Sequence, residues 1–161
     1  MQLDRIHISL SDQQLVGYAE GQVVCRYAVS TALNGAGEAE GSGCTPRGRH
    51  RIRARIGEGQ PCGAVFIGRR PTGEVWSPEL AATFPLRDWI LSRILWLCGE
   101  EPGFNRGGDV DSQRRYIYIH GTGDDQPMGR PLSHGCVRMR NSEMVELFAR
   151  TPVGCIVQID A

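Results

Sequence analysis

The sequence lacks the features that mark several common classes of protein. It contains no glycine-rich phosphate-binding loop, no metal-ligand spacing and no internal repeat. Its 18 basic and 18 acidic residues give a formal net charge of zero, so the positive surplus typical of nucleic-acid-binding proteins is missing. No apolar stretch approaches the length that spans a bilayer. We therefore expect no cofactor, no metal, no nucleic-acid partner and no membrane partner.

The cysteines also lack an ordered pattern. There are six, and no two of them form a Cys-x-x-Cys pair. Scattered cysteines of this kind are typical of reduced thiols rather than of a zinc site or a disulfide framework. We expect most of them to be buried.

The first residues carry no targeting signal. Residues 1–5 lead directly into the first predicted strand, without an apolar core or a small-residue cleavage site. If Met1 is the natural start, the expected localisation is cytoplasmic, and if Met1 was added to a processed chain, it is periplasmic.

Strand patterns dominate the chain. Its 161 residues suit a single domain, residues 1–161, that can bury a core. Alternating or continuous apolar runs predict strands at 23–32, 49–56, 64–68, 89–97, 116–120 and 155–159. A helix is predicted at 142–150, with Asn141 as its cap. The expected fold is mostly β, a sandwich or partly closed barrel with one or two short helices.

Other side chains receive structural interpretations. Arg51, Arg53 and Arg55 alternate along one predicted strand and are interpreted as a solvated face rather than as a nucleic-acid site. The three tryptophans are assigned to the core. The segment 98–115 is rich in glycine and acidic residues, and two hypotheses fit it: a wall of the functional cleft or an ordinary surface loop.

The residues that carry chemistry lie in one short segment, Ser133–Arg138, with His120 sixteen positions before Cys136. A cysteine nucleophile needs a base, amides that hold an oxyanion and a group that positions the substrate. Alone, a cysteine is usually a small buried hydrophobe and a strand-end histidine is usually structural. Together with Gly135 and Arg138, however, they favour catalysis. The amides of Gly135 and Cys136 are predicted to point at one spot and form an oxyanion hole, and Arg138 to bind a carboxylate.

This pattern resembles the catalytic motif of the L,D-transpeptidase (YkuD) family. That motif has a histidine, a spacer, Ser/Thr-His-Gly-Cys and then Arg or Asn two residues on. Here it is His120-Gly121 followed by Ser133-His134-Gly135-Cys136-Val137-Arg138.

The resemblance extends over nearly the whole chain. Residues 6–15 are similar to the family's first hairpin, residues 27–32 to its "xVSTG" strand and residues 45–50 to its Thr-Pro-x-Gly-x-Phe turn. Two positions depart from the pattern: Ala32 stands where glycine is usual, and His50 replaces the aromatic residue.

The resemblance implies a cysteine-dependent peptidoglycan acyltransferase or peptidase. Cys136 would attack the carbonyl at the L-centre of meso-diaminopimelate in a tetrapeptide stem, form a thioester and release D-alanine. His120 would act as the base, oriented by the carbonyl of Gly121 or alternatively by Ser133. His134 would shape the substrate pocket and Arg138 would bind a substrate carboxylate. The expected partners are peptidoglycan tetrapeptide stems or soluble muropeptides.

The motif leaves the acyl acceptor open. If water attacks the thioester, the enzyme is an L,D-carboxypeptidase that trims tetrapeptide to tripeptide. If an amine attacks, it crosslinks stems or exchanges D-amino acids. Because no export signal or wall-binding domain is visible, the sequence favours hydrolysis and a role in peptidoglycan recycling.

Two other classes of protein remain as alternatives. A non-catalytic peptidoglycan-binding module would keep the cleft without needing Cys136. A redox or metal protein using Cys136 and His134 is a weaker hypothesis, because zinc sites usually have two close ligand pairs. Papain-type proteolysis is disfavoured because the cysteine there precedes its histidine.

Overall fold

The computed structural model describes all of residues 1–161. Ten strands and two α-helices form, with one 3₁₀ turn at Gly108–Val110. The strands are β1 Arg5–Ser9, β2 Gln14–Ala19, β3 Gln22–Ala28, β4 Gly48–Ile56, β5 Ala64–Ile67, β6 Arg70–Val75, β7 Ile90–Gly99, β8 Tyr118–Gly121, β9 Val137–Met139 and β10 Ile156–Asp160; the helices are α1 Pro78–Thr83 and α2 Asn141–Arg150. The predicted mostly β fold with two short helices is confirmed.

One branched sheet contains all ten strands. Its main path runs β3-β2-β1-β10-β4-β7-β5-β6, and β7 also pairs with β8, which in turn pairs with β9. Most neighbours are antiparallel, but β1 and β10 are parallel, and so are β8 and β9. The sheet curls into a half-barrel, and it branches at β7, where β8 and then β9 are added.

The main core lies between the curled sheet and α2. It contains 19 buried residues, among them Met144, Leu147 and Phe148 from one face of the helix. Helix α2 packs on β7 and β8, so the strand that carries His120 is supported by the helix. Neither helix is long and apolar enough to cross a membrane.

The start of α2 differs from the prediction. Asn141 is the first helical residue rather than the cap, and no side chain caps the helix. The side-chain amide of Asn141 instead donates to the Thr122 carbonyl at 2.9 Å, and its side-chain oxygen accepts from the Ser92 hydroxyl at 2.7 Å. A cap would satisfy one exposed amide of the helix, whereas these bonds satisfy buried groups and fasten α2 to the ends of β7 and β8.

Two predictions about burial were wrong in part. Trp96 packs against a smaller core cluster, as predicted, but Trp76 and Trp89 are half-buried and line a cleft. Of the five cysteines other than Cys136, only Cys98 and Cys155 are buried, and Cys62 is exposed. An indole ring is large enough to be partly covered at the rim of a cleft, and sequence pattern does not distinguish such a position from one in the core.

The segment 98–115 packs against another loop rather than over the catalytic segment. Arg115 donates to the carbonyls of Gly37, Glu38 and Cys44, and the Glu40 amide donates to the Asp109 carbonyl. None of residues 98–115 lines the cavity that holds Cys136, whereas the next residue, Tyr116, does. The cleft-wall hypothesis for this segment is therefore wrong.

Candidate active site

The parallel pairing of β8 with β9 brings the distant motif residues together. His120 lies opposite Arg138, and Ile119 lies opposite Val137. Because side chains alternate across a strand, Ile119 and Val137 enter the core, and the residues on either side of them face the opposite way. Cys136, just before β9, thus shares a face of the sheet with His120 although sixteen positions separate them.

Two backbone groups, one at the start of β8 and one just before it, hold the thiol. The Tyr118 amide donates to Cys136 Sγ at 3.3 Å, and the thiol donates to the Tyr116 carbonyl at 3.3 Å. No hydrogen bond joins Cys136 to His120, although both line one cavity. To pass its proton to the imidazole, the thiol has to turn away from Tyr116.

The imidazole of His120 is fixed through one nitrogen. Nδ1 lies 2.5 Å from the Gly121 carbonyl oxygen, and an oxygen acceptor there requires that Nδ1 carry the proton. Nε2 is then the unprotonated nitrogen, and it makes no hydrogen bond within the chain. Ser133 makes no bond to His120, so the structure contains the Gly121 arrangement and not the alternative through Ser133.

Burial disfavours the charged form of both the Cys136 thiol and the His120 imidazole. Burial lowers the pKa of His120, outweighing the hydrogen bond to Gly121 and the charge of Asp88. Desolvation raises the pKa of Cys136 well above its ordinary value, although part of the residue reaches the cavity. The Tyr118 amide opposes that rise because it stabilises the thiolate.

Side-chain hydrogen bonds shape the turn before Cys136. The Ser133 hydroxyl donates to the Cys136 carbonyl at 2.6 Å and accepts from the Gly135 amide at 3.2 Å. The Thr45 hydroxyl donates to the Gly135 carbonyl at 2.9 Å. Gly135 has φ 132°, and a Cβ there would lie 3.2 Å from the Cys44 carbonyl oxygen, so glycine is required.

The predicted oxyanion hole differs in one respect. Because the Gly135 amide already has the Ser133 hydroxyl as its acceptor, it is not free. The Cys136 amide makes no hydrogen bond within the chain. A developing oxyanion would therefore find one available donor of the expected two at the start of the reaction.

Arg138 faces a carboxylate of its own chain. Its guanidinium donates to Asp88 Oδ1 at 3.0 Å, and only 9% of its side chain is exposed. His134 is 79% exposed, with Nδ1 3.8 Å from Asp88 Oδ2. Asp88 lies just before β7 and forms a bridge between the two residues that the sequence assigned to substrate binding.

Two adjoining cavities meet at this bridge. The smaller, about 530 Å³, contains Cys136 and His120. The larger, about 980 Å³, is bordered by α1, by Trp76 and Trp89, and by the loop after β8. Asp88, His134 and Arg138 line both, so they form the boundary between the two cavities.

Sequence reasoning missed several residues of the site. Tyr116 and Tyr118 precede His120 at intervals of two, and this alternation could have placed them on its face. Thr45 belongs to a motif that the sequence did single out, but without a role. Asp88 and Arg69 lie in loops far along the chain from the motif, and nothing in the sequence around them indicates that they belong to the site. The structure contains no group of three or more His, Cys, Asp or Glu side chains arranged to hold a metal ion.

Fold and site together define a class: half-barrel β domains that present a cysteine and a histidine from two parallel strands in a cleft. The chain belongs to the L,D-transpeptidase catalytic domain (YkuD) family, whose model matches residues 3–159.

Individual relatives agree over shorter segments. The chain is 44% identical over 54 residues to YqjB of Bacillus subtilis strain 168, whose name places it among the L,D-transpeptidases; the match covers 33% of this chain and 31% of that protein. It is 48% identical over 44 residues to YbiS of Escherichia coli strain K12, covering 27% of this chain and 14% of the relative. The matches thus span a third or less of these two proteins.

Solved structures share the fold at low sequence identity. The L,D-transpeptidase of Xylanimonas cellulosilytica superposes with a TM-score of 0.56 at 20% identity, covering 99% of this chain and 61% of that one. An Enterococcus faecium L,D-transpeptidase C442S mutant superposes with a TM-score of 0.60 at 15% identity, covering 99% and 50%. These likenesses establish the fold.

Proposed function

We propose that the chain catalyses L,D-acyl transfer on peptidoglycan stem peptides, with Cys136 as the nucleophile. One observation carries the proposal: the Cys136 thiol shares a cavity with His120, whose Nδ1 donates to Gly121 and whose Nε2 is therefore a proton acceptor. Membership of the L,D-transpeptidase family supports the choice of substrate.

The first half-reaction forms a thioester. The thiol turns from the Tyr116 carbonyl and gives its proton to His120 Nε2 as Sγ attacks the carbonyl at the L-centre of diaminopimelate. The Cys136 amide donates to the oxyanion, and the Tyr118 amide stabilises negative charge on sulfur. The C–N bond to D-alanine then breaks, and the proton on Nε2 passes to the leaving amine.

The larger cavity supports an amine as the acceptor. Asp124 and Asp125 line it and form no ion pair, while its Arg87 is already paired with Glu74 at 3.0 Å. Unpaired carboxylates favour a cationic ligand, such as the ammonium form of the amine of a second stem or of a D-amino acid. The bound ammonium loses one proton to solvent, the neutral amine attacks the thioester, and its second proton passes through His120 Nε2 to the leaving Cys136 thiolate. On this proposal the second half-reaction is transpeptidation or exchange.

Hydrolysis is the competing fate of the same thioester. Exposure of His134 at the boundary of the two cavities leaves the site open to water. Transfer to water would make the protein an L,D-carboxypeptidase, and its role in cytoplasmic recycling stays a prediction from the sequence.

Mass spectrometry of a disaccharide-tetrapeptide after incubation with the protein tests the proposal. D-alanine release that requires Cys136 is expected, and retained release in Cys136→Ala would overturn the assignment. Dimers, or exchanged stems when a D-amino acid is added, identify an amine acceptor. Tripeptide as the dominant product even in the presence of the D-amino acid identifies water. No change in the muropeptide, with the stem bound, would favour a non-catalytic binding module.

A further inference from the structure

An arginine occupies a strained turn at the edge of the catalytic cavity. The hairpin between β5 and β6 turns through two residues, Gly68 with φ 56° and Arg69 with φ 64°. Two left-handed residues define a type I′ turn, in which asparagine and glycine are preferred. A non-glycine residue in this conformation carries backbone strain, which indicates a role for its side chain.

Aromatic groups hold the Arg69 guanidinium in place. It lies 4.7 Å from the centre of the Trp96 ring and 5.1 Å from that of Tyr116, and it donates to the Tyr118 hydroxyl at 3.1 Å. No carboxylate lies within ion-pair distance of it. Stacking fixes the plane of the fork while leaving donors free for a ligand.

The groups that hold Arg69 also hold the nucleophile. Tyr118 contacts Arg69 through its hydroxyl and Cys136 Sγ through its amide. Tyr116 stacks on Arg69 and accepts from the thiol. Arg69 therefore lies one tyrosine side chain away from the reacting sulfur, in the same cavity.

Two other arginines near Cys136 are already occupied. Arg138 forms an ion pair with Asp88. Arg115 donates hydrogen bonds to the backbone carbonyls of Gly37, Glu38 and Cys44. Arg69 is thus the arginine of the smaller cavity that has no anionic partner.

On the proposed function, the two cavities would take the two halves of the substrate. The leaving amine and the incoming acceptor replace one another, so both would occupy the same side of the thioester, in the larger cavity. The acyl group stays with Cys136 in the smaller cavity, where Phe66, Ile90 and Ile94 provide an apolar wall and Arg69 a cation. An aliphatic chain that ends in a carboxylate matches this lining.

Resting on the proposed function, we propose that Arg69 is a specificity-determining residue that binds the carboxylate at the D-centre of the diaminopimelate residue whose L-centre carbonyl is attacked. A charged hydrogen-bonded pair of this kind selects stems that carry a free carboxylate over stems in which it is amidated. Arg138 does not supply this selection, because Asp88 neutralises it.

The test compares two tetrapeptide stems that differ only in amidation of that carboxylate. We expect the wild-type protein to prefer the free carboxylate by roughly 10- to 100-fold in kcat/KM for D-alanine release. Arg69→Gln is expected to lose the preference, because activity on the free carboxylate should fall more than activity on the amidated stem. Arg69→Lys should restore part of it. Arg5→Gln is the matched control, because Arg5 stacks on the Tyr18 ring, 5.6 Å from its centre, and lies outside the site.

Equal loss on both stems in Arg69→Gln, or no loss on either, would overturn the proposal. Thermal unfolding shows whether Arg69→Gln is folded. If it is not, the activities of Arg69→Lys on the two stems are compared with those of the wild type instead. Failure of the proposed function is distinguishable: it appears as absence of D-alanine release from both stems by the wild-type protein. In that case calorimetric binding of the two stems to Cys136→Ala, with and without Arg69→Gln, decides whether Arg69 selects the carboxylate.

Discussion

Arg138 and Asp88 form an ion pair at 3.0 Å on the boundary between the two cavities. Side-chain exposure is unequal, 9% for the arginine and 46% for the aspartate, so the carboxylate is the solvent-facing member. The pair has two consequences. It occupies the guanidinium of Arg138 that the sequence assigned to a substrate carboxylate. It also brings two opposing charges near the thiol and the imidazole: Arg138 acts to lower the pKa of both Cys136 and His120, and Asp88 acts to raise it by its negative charge.

Removing that charge is expected to make the thiol more reactive. Asp88→Asn keeps an oxygen acceptor for Arg138 but loses the carboxylate, so the pKa of Cys136 should fall and its alkylation by iodoacetamide at pH 8 should become a few-fold faster. Asp124→Asn, in the larger cavity, is the control and should leave the rate unchanged. An unchanged or slower rate in Asp88→Asn would show that Asp88 does not act electrostatically on the thiol.

Alkylation of the wild-type protein should depend steeply on pH. Because desolvation raises the pKa of Cys136, the thiolate is scarce at neutral pH and the rate should rise about tenfold per pH unit between pH 6 and 8. Peptide mapping separates Cys136 from the exposed Cys62, which serves as the internal reference. A rate that is flat from pH 5 to 8 would instead indicate a thiolate–imidazolium pair in the free protein.

Thiol reactivity alone does not separate an acyltransferase from a non-catalytic binding module. Slow alkylation at neutral pH is the expected behaviour of a buried thiol whether or not the protein is an enzyme. Product formation, rather than thiol reactivity, therefore distinguishes the acyltransferase from a non-catalytic module.

Gly135→Ala should lower D-alanine release by more than its modest loss of folding stability would explain. The residue has φ 132°, and the added Cβ would press on the Cys44 carbonyl, so a loss of roughly 1–3 kcal/mol in the free energy of unfolding is expected. The shift should also disturb the Thr45 bond and displace Cys136, abolishing most D-alanine release.

Gly129→Ala is the matched control for this change. It has φ 82° in the same connection, and nothing lies within 4 Å of its added Cβ. Denaturant unfolding should show a loss in both variants, whereas D-alanine release should fall only in Gly135→Ala. Equal activities would contradict a positioning role for the turn.

Acid should destabilise the fold through His50. This residue is fully buried, with Nδ1 against the Gly48 carbonyl and Nε2 accepting from the Ser112 hydroxyl at 2.8 Å, and burial lowers its pKa from 6.5 to about 4. The unfolded chain therefore binds more protons between pH 6.5 and 4, and stability falls as the pH is lowered through that window, by roughly 3 kcal/mol from this group.

Urea unfolding at pH 7, 5.5 and 4 measures this slope. His120, whose pKa is also lowered, acts in the same direction, so the difference between wild type and His50→Gln isolates His50. The variant should be less stable at pH 7 and have a shallower pH dependence. Parallel curves for the two proteins would refute the assignment.

Local pattern predicted most strands because side-chain alternation survives in the sheet. The segment 49–56 was expected as a strand and is found within Gly48–Ile56, and 64–68 is found as Ala64–Ile67. The motif placed His120 and Cys136 in one cavity, since parallel strands bring their ends together. Sequence could not show that Asp88 pairs with Arg138 or that Arg69 lines the same cavity as the thiol, because these relationships arise from strand order rather than from chain order.

The most direct test of the central claim is intact-protein mass spectrometry during turnover of a tetrapeptide stem. A covalent adduct on Cys136, of the stem less its terminal D-alanine, is predicted in the wild-type protein and absent in Cys136→Ala. Its formation should be roughly 10²- to 10⁴-fold slower in His120→Gln, which loses the proton acceptor. Release of D-alanine without passage through an adduct on Cys136, or an adduct that persists in Cys136→Ala, would contradict the account.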